Sequence, residues 1–257
     1  MKYCFGTVCW GGYLERYVDI FINNYITIFR KLMTIGVNYD DIAEPRIVYV
    51  NKDDTPGLAT ENAIKKLETI TGKELTLICD KHKYTQDSIM YSTRNRLRLE
   101  FRKAYPTDKK VYFYFPIDDN VRSETVAELY KLAHTNEPTA CMFKFMVQEG
   151  AIKYSAGTRP ICSYKDIHPG DWGGYCAYNI LDEDTCPLYP KIAIPNIAFY
   201  TELYRAGYKQ YQSKEVCVDH LRHHDSHHFK TKDTKMTEKV RDFLMAQRKE
   251  LSEKGYK

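Results

Sequence analysis

The 257-residue sequence predicts an α/β protein with a mixed, mostly parallel central sheet and helices on both of its faces. Three observations predict it. Short β-branched and aromatic runs alternate with stretches of helical period through residues 1–121. Gly and Pro mark the joints between them. The resulting order, β-α-β-α-β-α-β, needs a crossover between successive strands, which makes neighbouring strands parallel.

The elements follow in order. "KYCFGTVCW" is a first strand that ends at the Gly11-Gly12 turn. The next stretch places Leu14, Tyr17, Val18, Phe21, Tyr25, Phe29 and Leu32 on one helical face, and Gly36 closes it. "RIVYVN" is the second strand. "TENAIKKLETITG" is a helix with Thr60 as N-cap and Gly72 just past its end. "ELTLICD" is the third strand, and "SIMYSTRNRLRLEFRKAY" is a long helix with a basic exposed face. "KVYFYFPIDDNV" is the fourth strand, running into Asp118, Asp119 and Asn120.

The second half is less regular. "SETVAELYKLAH" is a helix capped by Ser123, and "TACMFKFMVQEGAIKYSAGT" reads as two strands joined at Glu149-Gly150. "GDWGGYCAYN" is a Gly-rich turn before a short strand. A helix opens near Pro195 and ends at Gly207. "YQSKEVCVDH" is a strand, and residues from about 235 form a polar amphipathic helix. No internal repeat is present, so the chain is treated as one domain.

Composition bounds the function. Hydrophobic residues are 43% and charged residues 28%, an ordinary globular balance. No apolar run approaches the length of a membrane span, and the N-terminus lacks a signal peptide's architecture, so a soluble cytoplasmic protein without a membrane partner is expected. The eight cysteines include no C-x-x-C pair and mostly sit in apolar runs, which predicts reduced, buried thiols. A net charge of +4 permits a polyanionic partner without requiring one. The 22 tyrosines suit either a core or stacking on sugars and bases.

Four groups of residues can carry chemistry. In an alternating sheet, ligands bind beyond the carboxyl ends of the strands, where Asp118, Asp119 and Asn120 fall. Two carboxylates and an amide oxygen suit Mg²⁺ or Mn²⁺; the bland alternative is a capped turn. "VDHLRHHDSHHF" holds five of the eight histidines, and His220, ending a strand, is the first choice as a metal or diphosphate ligand. Arg94 and Arg98 share a helical face and match diphosphate oxygens, whereas Arg96 and Arg102 read as a solvated face. Asp171, Trp172, Gly173 and Gly174 combine close backbone approach with a stacking surface, or else form a plain hairpin bend.

In this order the motifs resemble a nucleotide-sugar glycosyltransferase of the GT-A (Rossmann-like) fold, close in organisation to the large family-2 group. "GTVCW" sits where that fold begins its nucleotide pocket. "YSTRNRL" looks like the family's Arg-Asn segment, "FPIDDNV" its Asp-x-Asp metal motif, and "GGYCAYN" its acceptor-side turn. "TELYRAGYK" is similar to the helix end that closes the acceptor half, and "VCVDHLRHHDS" to the late strand whose His completes the metal site. The resemblance covers most of residues 1–230. It divides the chain into a nucleotide-sugar half (1–122), an acceptor half (123–234) and a C-terminal helix (235–257).

The resemblance implies Mn²⁺ or Mg²⁺ held by Asp118, Asn120 and His220. It implies a nucleoside diphosphate sugar, with UDP favoured, contacted by Thr7, Asn51, Asp80, Arg94, Asn95 and Asp119, and acceptor contacts from Trp172, Gly173 and Gly174. Where the family often carries an acidic pair, this chain reads Pro195-Asn196, and Asn cannot serve as a base. Asp171 is therefore the first candidate base, with Asp182, Glu183 or Asp184 behind it, unless the enzyme retains configuration and needs none. The Lys- and Tyr-rich style resembles proteins of large tailed phages, which implies 5-hydroxymethylated cytosine in DNA as acceptor, the host cytoplasm as location and a monomeric enzyme. The rivals are a GT-A enzyme acting on a surface glycan, a nucleotidyltransferase, and a non-catalytic zinc- and nucleic-acid-binding module.

Overall fold

The structure is a computed structural model in which residues 1–10, 12–50, 55–82, 86–121, 125–147, 159–161, 176–191 and 195–220 are described, with single helical positions between 242 and 253. Among the described residues nine strands form one sheet: β1 (Lys2–Cys9), β2 (Arg46–Val50), β3 (Thr76–Asp80), β4 (Lys110–Tyr114), β5 (Asp119–Val121), β6 (Thr139–Val147), β7 (Arg159–Ile161), β8 (Cys176–Ile180) and β9 (Lys209–His220). Their order is β3-β2-β1-β4-β8-β6-β9-β5, with β7 paired to β9. The pairings make β1, β2, β3, β4, β6 and β9 point one way and β5, β7 and β8 the other, so the sheet is mixed and mostly parallel.

Among the described residues the helices that cover the sheet are α1 (Tyr13–Thr34), α2 (Leu58–Thr71), α3 (Gln86–Ala104), α4 (Thr125–Ala133) and α5 (Pro195–Arg205). Strand alternation sorts the core into two layers. Tyr3, Phe5 and Cys9 of β1 pack with α1, α2 and α4, while Cys4 and Val8 pack with α3 and α5. All seven residues of the predicted α1 stripe are buried. Among the described residues nine tyrosines are buried, including Tyr112 and Tyr178 with rings 5.0 Å apart, so much of the tyrosine content is core. Cys4, Cys9, Cys141 and Cys186 are buried free thiols, and burial holds Cys4 up at about 12.

Gly6 lets α3 sit close on β1. A Cβ there would lie 2.7 Å from the Leu97 side chain. That contact fixes the height of α3 and hence the level at which Arg94 and Asn95 project near the strand ends.

The start of α2 differs from expectation. Thr60 lies inside the helix, and the N-cap position is Gly57. The capping acceptor is the Glu15 carboxylate of α1, which takes hydrogen bonds from Gly57 N at 2.6 Å, Ala59 N at 3.0 Å and Thr60 N at 3.1 Å, and from the Thr60 hydroxyl. An anion gathers several open amides of a helix start at once, which a threonine within the helix cannot do. Burial pushes the Glu15 carboxyl up, but these hydrogen bonds outweigh it and hold the group below its ordinary value.

Ser123, the predicted Glu149-Gly150 turn, the Gly-rich turn and most of the C-terminal helix lie outside the described residues. Glu250 does reach Arg205 of α5 at 2.9 Å. No described helix is long and apolar enough to cross a membrane.

Candidate active site

The parallel strands β1 to β4 end on one edge, with Val50 and Asp80 in register and Tyr114 beside Gly6. The sequence predicts one strand over residues 110–121, but the structure breaks it in two. Pro116 offers no N–H to a ladder, and a turn forms in which Asp119 N donates to Pro116 O at 3.3 Å. Asp118 occupies that turn and Asp119 begins β5. Asp118 is 6% exposed and Asp119 0%.

β5 is held from two sides. Asn24 of α1 donates to Asp119 O at 2.5 Å and accepts from Val121 N at 3.0 Å. On the other side β5 pairs with β9, so that Asp119 stands opposite His220, Asn120 opposite Asp219 and Val121 opposite Val218. The predicted metal residue His220 is thus brought to the acidic motif across 101 positions of sequence, at the register position of Asp119 and not that of Asn120.

α3 supplies the cation. Arg94 is buried, with its guanidinium 4.5 Å from the Tyr114 ring centroid and 5.3 Å from that of Tyr189. Burial raises the Tyr114 hydroxyl, Arg94 pulls it down, and the charges of Asp118 and Asp119 push it up again. Arg94, Tyr114 and the two carboxylates therefore form one electrostatic cluster at the end of β4.

The neighbours of Arg94 serve differently. Arg98 donates to Cys186 O at 2.8 Å and to Pro187 O, and pairs with Glu183 at 3.4 Å. It anchors a loop and is not part of a diphosphate clamp. Arg96 pairs with Glu100 at 2.8 Å and Arg102 with Asp184 at 3.0 Å, the expected solvated ion pairs. Asn95 engages both ends of its carboxamide with the backbone C=O and N–H of Tyr189, at 2.9 and 2.8 Å.

At the end of β3, Cys79, Asp80, Lys81, His82 and Arg96 line an open cleft of about 300 Å³. The buried Asp80 carboxylate receives His82 Nδ1 at 2.7 Å and the His82 N–H at 3.2 Å. Thr7 is fully buried, and its hydroxyl finds no hydrogen-bond partner in the structure. Strand alternation puts it on the α1 face, opposite the face that carries Arg94.

Asn51, Asp171, Trp172, Gly173 and Gly174 lie outside the described residues, as do the histidines after His220. The reserve bases are placed on the wrong edge. They follow β8, whose Ile180 pairs with Lys110 at the amino end of β4. Glu183 is locked between Arg98 and the buried Lys110, whose Nζ lies 3.1 Å away.

Among the described residues no three His, Cys, Asp or Glu side chains gather closely enough to hold a metal. The donors present are Asp118 and Asp119, with the Asn120 amide beside them. Hard oxygen donors in that number fit Mg²⁺ or Mn²⁺, which commonly take one or two carboxylates and complete their shell with substrate phosphates.

Sequence reading missed Asn24, Tyr114, Tyr189 and His82. For Asn24 a signal existed: it lies on the apolar α1 stripe between Phe21 and Ile28, where a buried polar side chain must find partners.

Fold and edge together define a GT-A-like α/β architecture. Among solved structures the chain is similar to S. aureus TarS 1-349 in complex with UDP-GlcNAc, at 13% identity and a TM-score of 0.59, covering 90% of this chain and 61% of that one. It is also similar to the same protein in complex with UDP, at 12% identity and a TM-score of 0.58 over 86% and 61%, and to a longer TarS structure, at 12% identity and 0.54 over 83% and 37%. The chain thus spans about three fifths of the TarS 1-349 structures it matches. No family model and no curated protein matches the sequence.

Proposed function

We propose that the chain is a metal-dependent glycosyltransferase that moves a sugar from a nucleoside diphosphate sugar, UDP favoured, to an acceptor hydroxyl. One observation carries the reading: two buried carboxylates and a buried arginine all act electrostatically on Tyr114 at the carboxyl end of β4, on a fold shared with structures solved with UDP and UDP-GlcNAc. Of the expected set Asp118, Asn120 and His220, Asn120 gives way to Asp119, which stands opposite His220, so Asp118, Asp119 and His220 would hold Mn²⁺ or Mg²⁺. When bound, the ion supplies charge neutralisation for the departing diphosphate. Arg94 adds a fixed guanidinium for the same charge, in a site where little reorganisation is needed. Asp80, beside its cleft, receives the nucleoside together with Asn51 and the strand around Thr7. Asp171 accepts the proton of the acceptor hydroxyl, and Trp172, Gly173 and Gly174 face the acceptor sugar or base.

For the acceptor we propose 5-hydroxymethylated cytosine in DNA, supported by the basic segments at residues 220–232 and 235–243, most of which lie outside the described residues. The described basic face of α3 does not add to this, because Arg96 and Arg102 are paired with acids.

Calorimetry with a panel of nucleoside diphosphates and Mn²⁺ tests the donor site. UDP binding that is lost in Asp118→Ala supports the reading. Wild-type protein that binds no nucleoside diphosphate overturns it. Product mass from UDP-sugars on hydroxymethylated and unmodified DNA then tests the acceptor, and activity that ignores the hydroxymethyl group removes DNA from the proposal.

A further inference from the structure

Asn95 gives a whole carboxamide to the backbone of one distant residue. Its Nδ2 donates to Tyr189 O at 2.9 Å, and its Oδ1 accepts from Tyr189 N at 2.8 Å. A β-strand neighbour would pair in the same way, yet Tyr189 lies outside every strand, in the stretch between β8 and α5. The two bonds together fix both the position and the direction of that backbone.

The consequence lies in the Tyr189 ring. It is buried and stacks on Phe199 of α5, with centroids 4.0 Å apart and planes 16° from parallel. Arg94 packs near this ring at 5.3 Å and near Tyr114 at 4.5 Å. An arginine has several rotatable bonds, and two aromatic contacts restrict where its flat guanidinium can turn. Arg94 and Asn95 are adjacent on α3, so the helix that carries the cation also clamps one of the rings that contain it.

We propose that Asn95 is a positioning residue that acts through Tyr189 to hold the Arg94 guanidinium in the orientation that meets a diphosphate. This rests on the nucleoside diphosphate reading of the site. It also gives Asn95 a different task from the ligand contact expected from sequence: its carboxamide is already engaged, and its effect reaches a ligand through Tyr189 and Arg94. Because Tyr189 also stacks on α5, the same clamp links the orientation of Arg94 to the helix that opens at Pro195.

The test compares UDP with uridine, which lacks the diphosphate, by calorimetry with Mn²⁺ on the 257-residue chain. It adds the ¹⁵Nε–¹Hε heteronuclear NOE of Arg94 without ligand, assigned with Arg94→Lys. Asn95→Asp removes the donor to Tyr189 O and sets a carboxylate against it. UDP affinity is expected to fall about tenfold, equivalent to about 1.4 kcal/mol, while uridine affinity stays at the wild-type value and the Arg94 NOE drops. Tyr189→Leu removes the ring but keeps the peptide clamp, and is expected to reproduce the UDP-selective loss even if Asn95→Asp fails to fold. UDP affinity unchanged in Tyr189→Leu, or UDP and uridine affinities falling together, overturns the proposal. If wild-type protein binds no UDP, the nucleotide reading falls by itself, and the NOE still decides the clamp: a drop in Asn95→Asp upholds it and an unchanged value overturns it.

Discussion

Asp119 and His220 stand directly opposite each other in the antiparallel pair of β5 and β9. Asn120, which the motif alone would choose as a metal ligand, is instead opposite Asp219. If the acidic motif and the late histidine share a metal, the carboxylate at the histidine's own register position is the stronger partner.

Asp119→Ala is therefore expected to weaken Mn²⁺-dependent UDP binding by about 100-fold or more, at the upper end of what loss of a metal-site residue produces. Asn120→Ala is expected to cost about tenfold or less. Mn²⁺ titrations followed by electron paramagnetic resonance measure both, and the reverse ranking would remove Asp119 from the metal set.

Asn24 ties α1 to the backbone of β5 through two buried hydrogen bonds. Asn24→Ala leaves a carbonyl and an N–H unsatisfied, each costing about 1–3 kcal/mol. Urea denaturation should show a loss of about 2–4 kcal/mol, and amide exchange at Val121 should accelerate more than at Phe113 in β4. Equal protection of both amides would mean that β9 alone secures β5.

Glu15 predicts a dependence on pH. Its folded-state pKa lies below the ordinary value of 4.5, so its capping contribution is complete above that pH and is lost as pH falls through the lower, folded value. Glu15→Gln should destabilise the protein by about 1 kcal/mol near neutral pH, and the difference from wild type should close on acidification. Thermal melts from neutral pH into the acid range measure it; a gap that stays constant would show that the charge has no part in the cap.

Glu183 is expected to matter for stability and not for chemistry. Removing it leaves Arg98 and Lys110 buried without their carboxylate, a loss of about 3–5 kcal/mol. Glu183→Gln should lower the melting temperature while the folded fraction binds UDP as wild type does. A folded variant with normal UDP affinity but no turnover would return Glu183 to the candidate bases.

The sequence by itself determined the alternation of strand and helix from β1 to β4, the parallel character of those strands and the edge at which Asp80, Asp118 and Asp119 lie. These follow from local periodicity, breaker residues and the handedness of crossover connections, all written in neighbouring positions. The break at Pro116 was not read from the sequence, although the signal was there, since a proline cannot donate to a ladder. Tertiary structure alone decided that Asp119 meets His220, that Glu15 caps α2, that Asn95 grips Tyr189, and that Glu183 lies at the edge away from the acidic motif. Each depends on which side chain reaches a backbone or strand 42 to 101 positions away. A side chain's period fixes the face it occupies, but only the packed sheet and its register fix what stands on the other side.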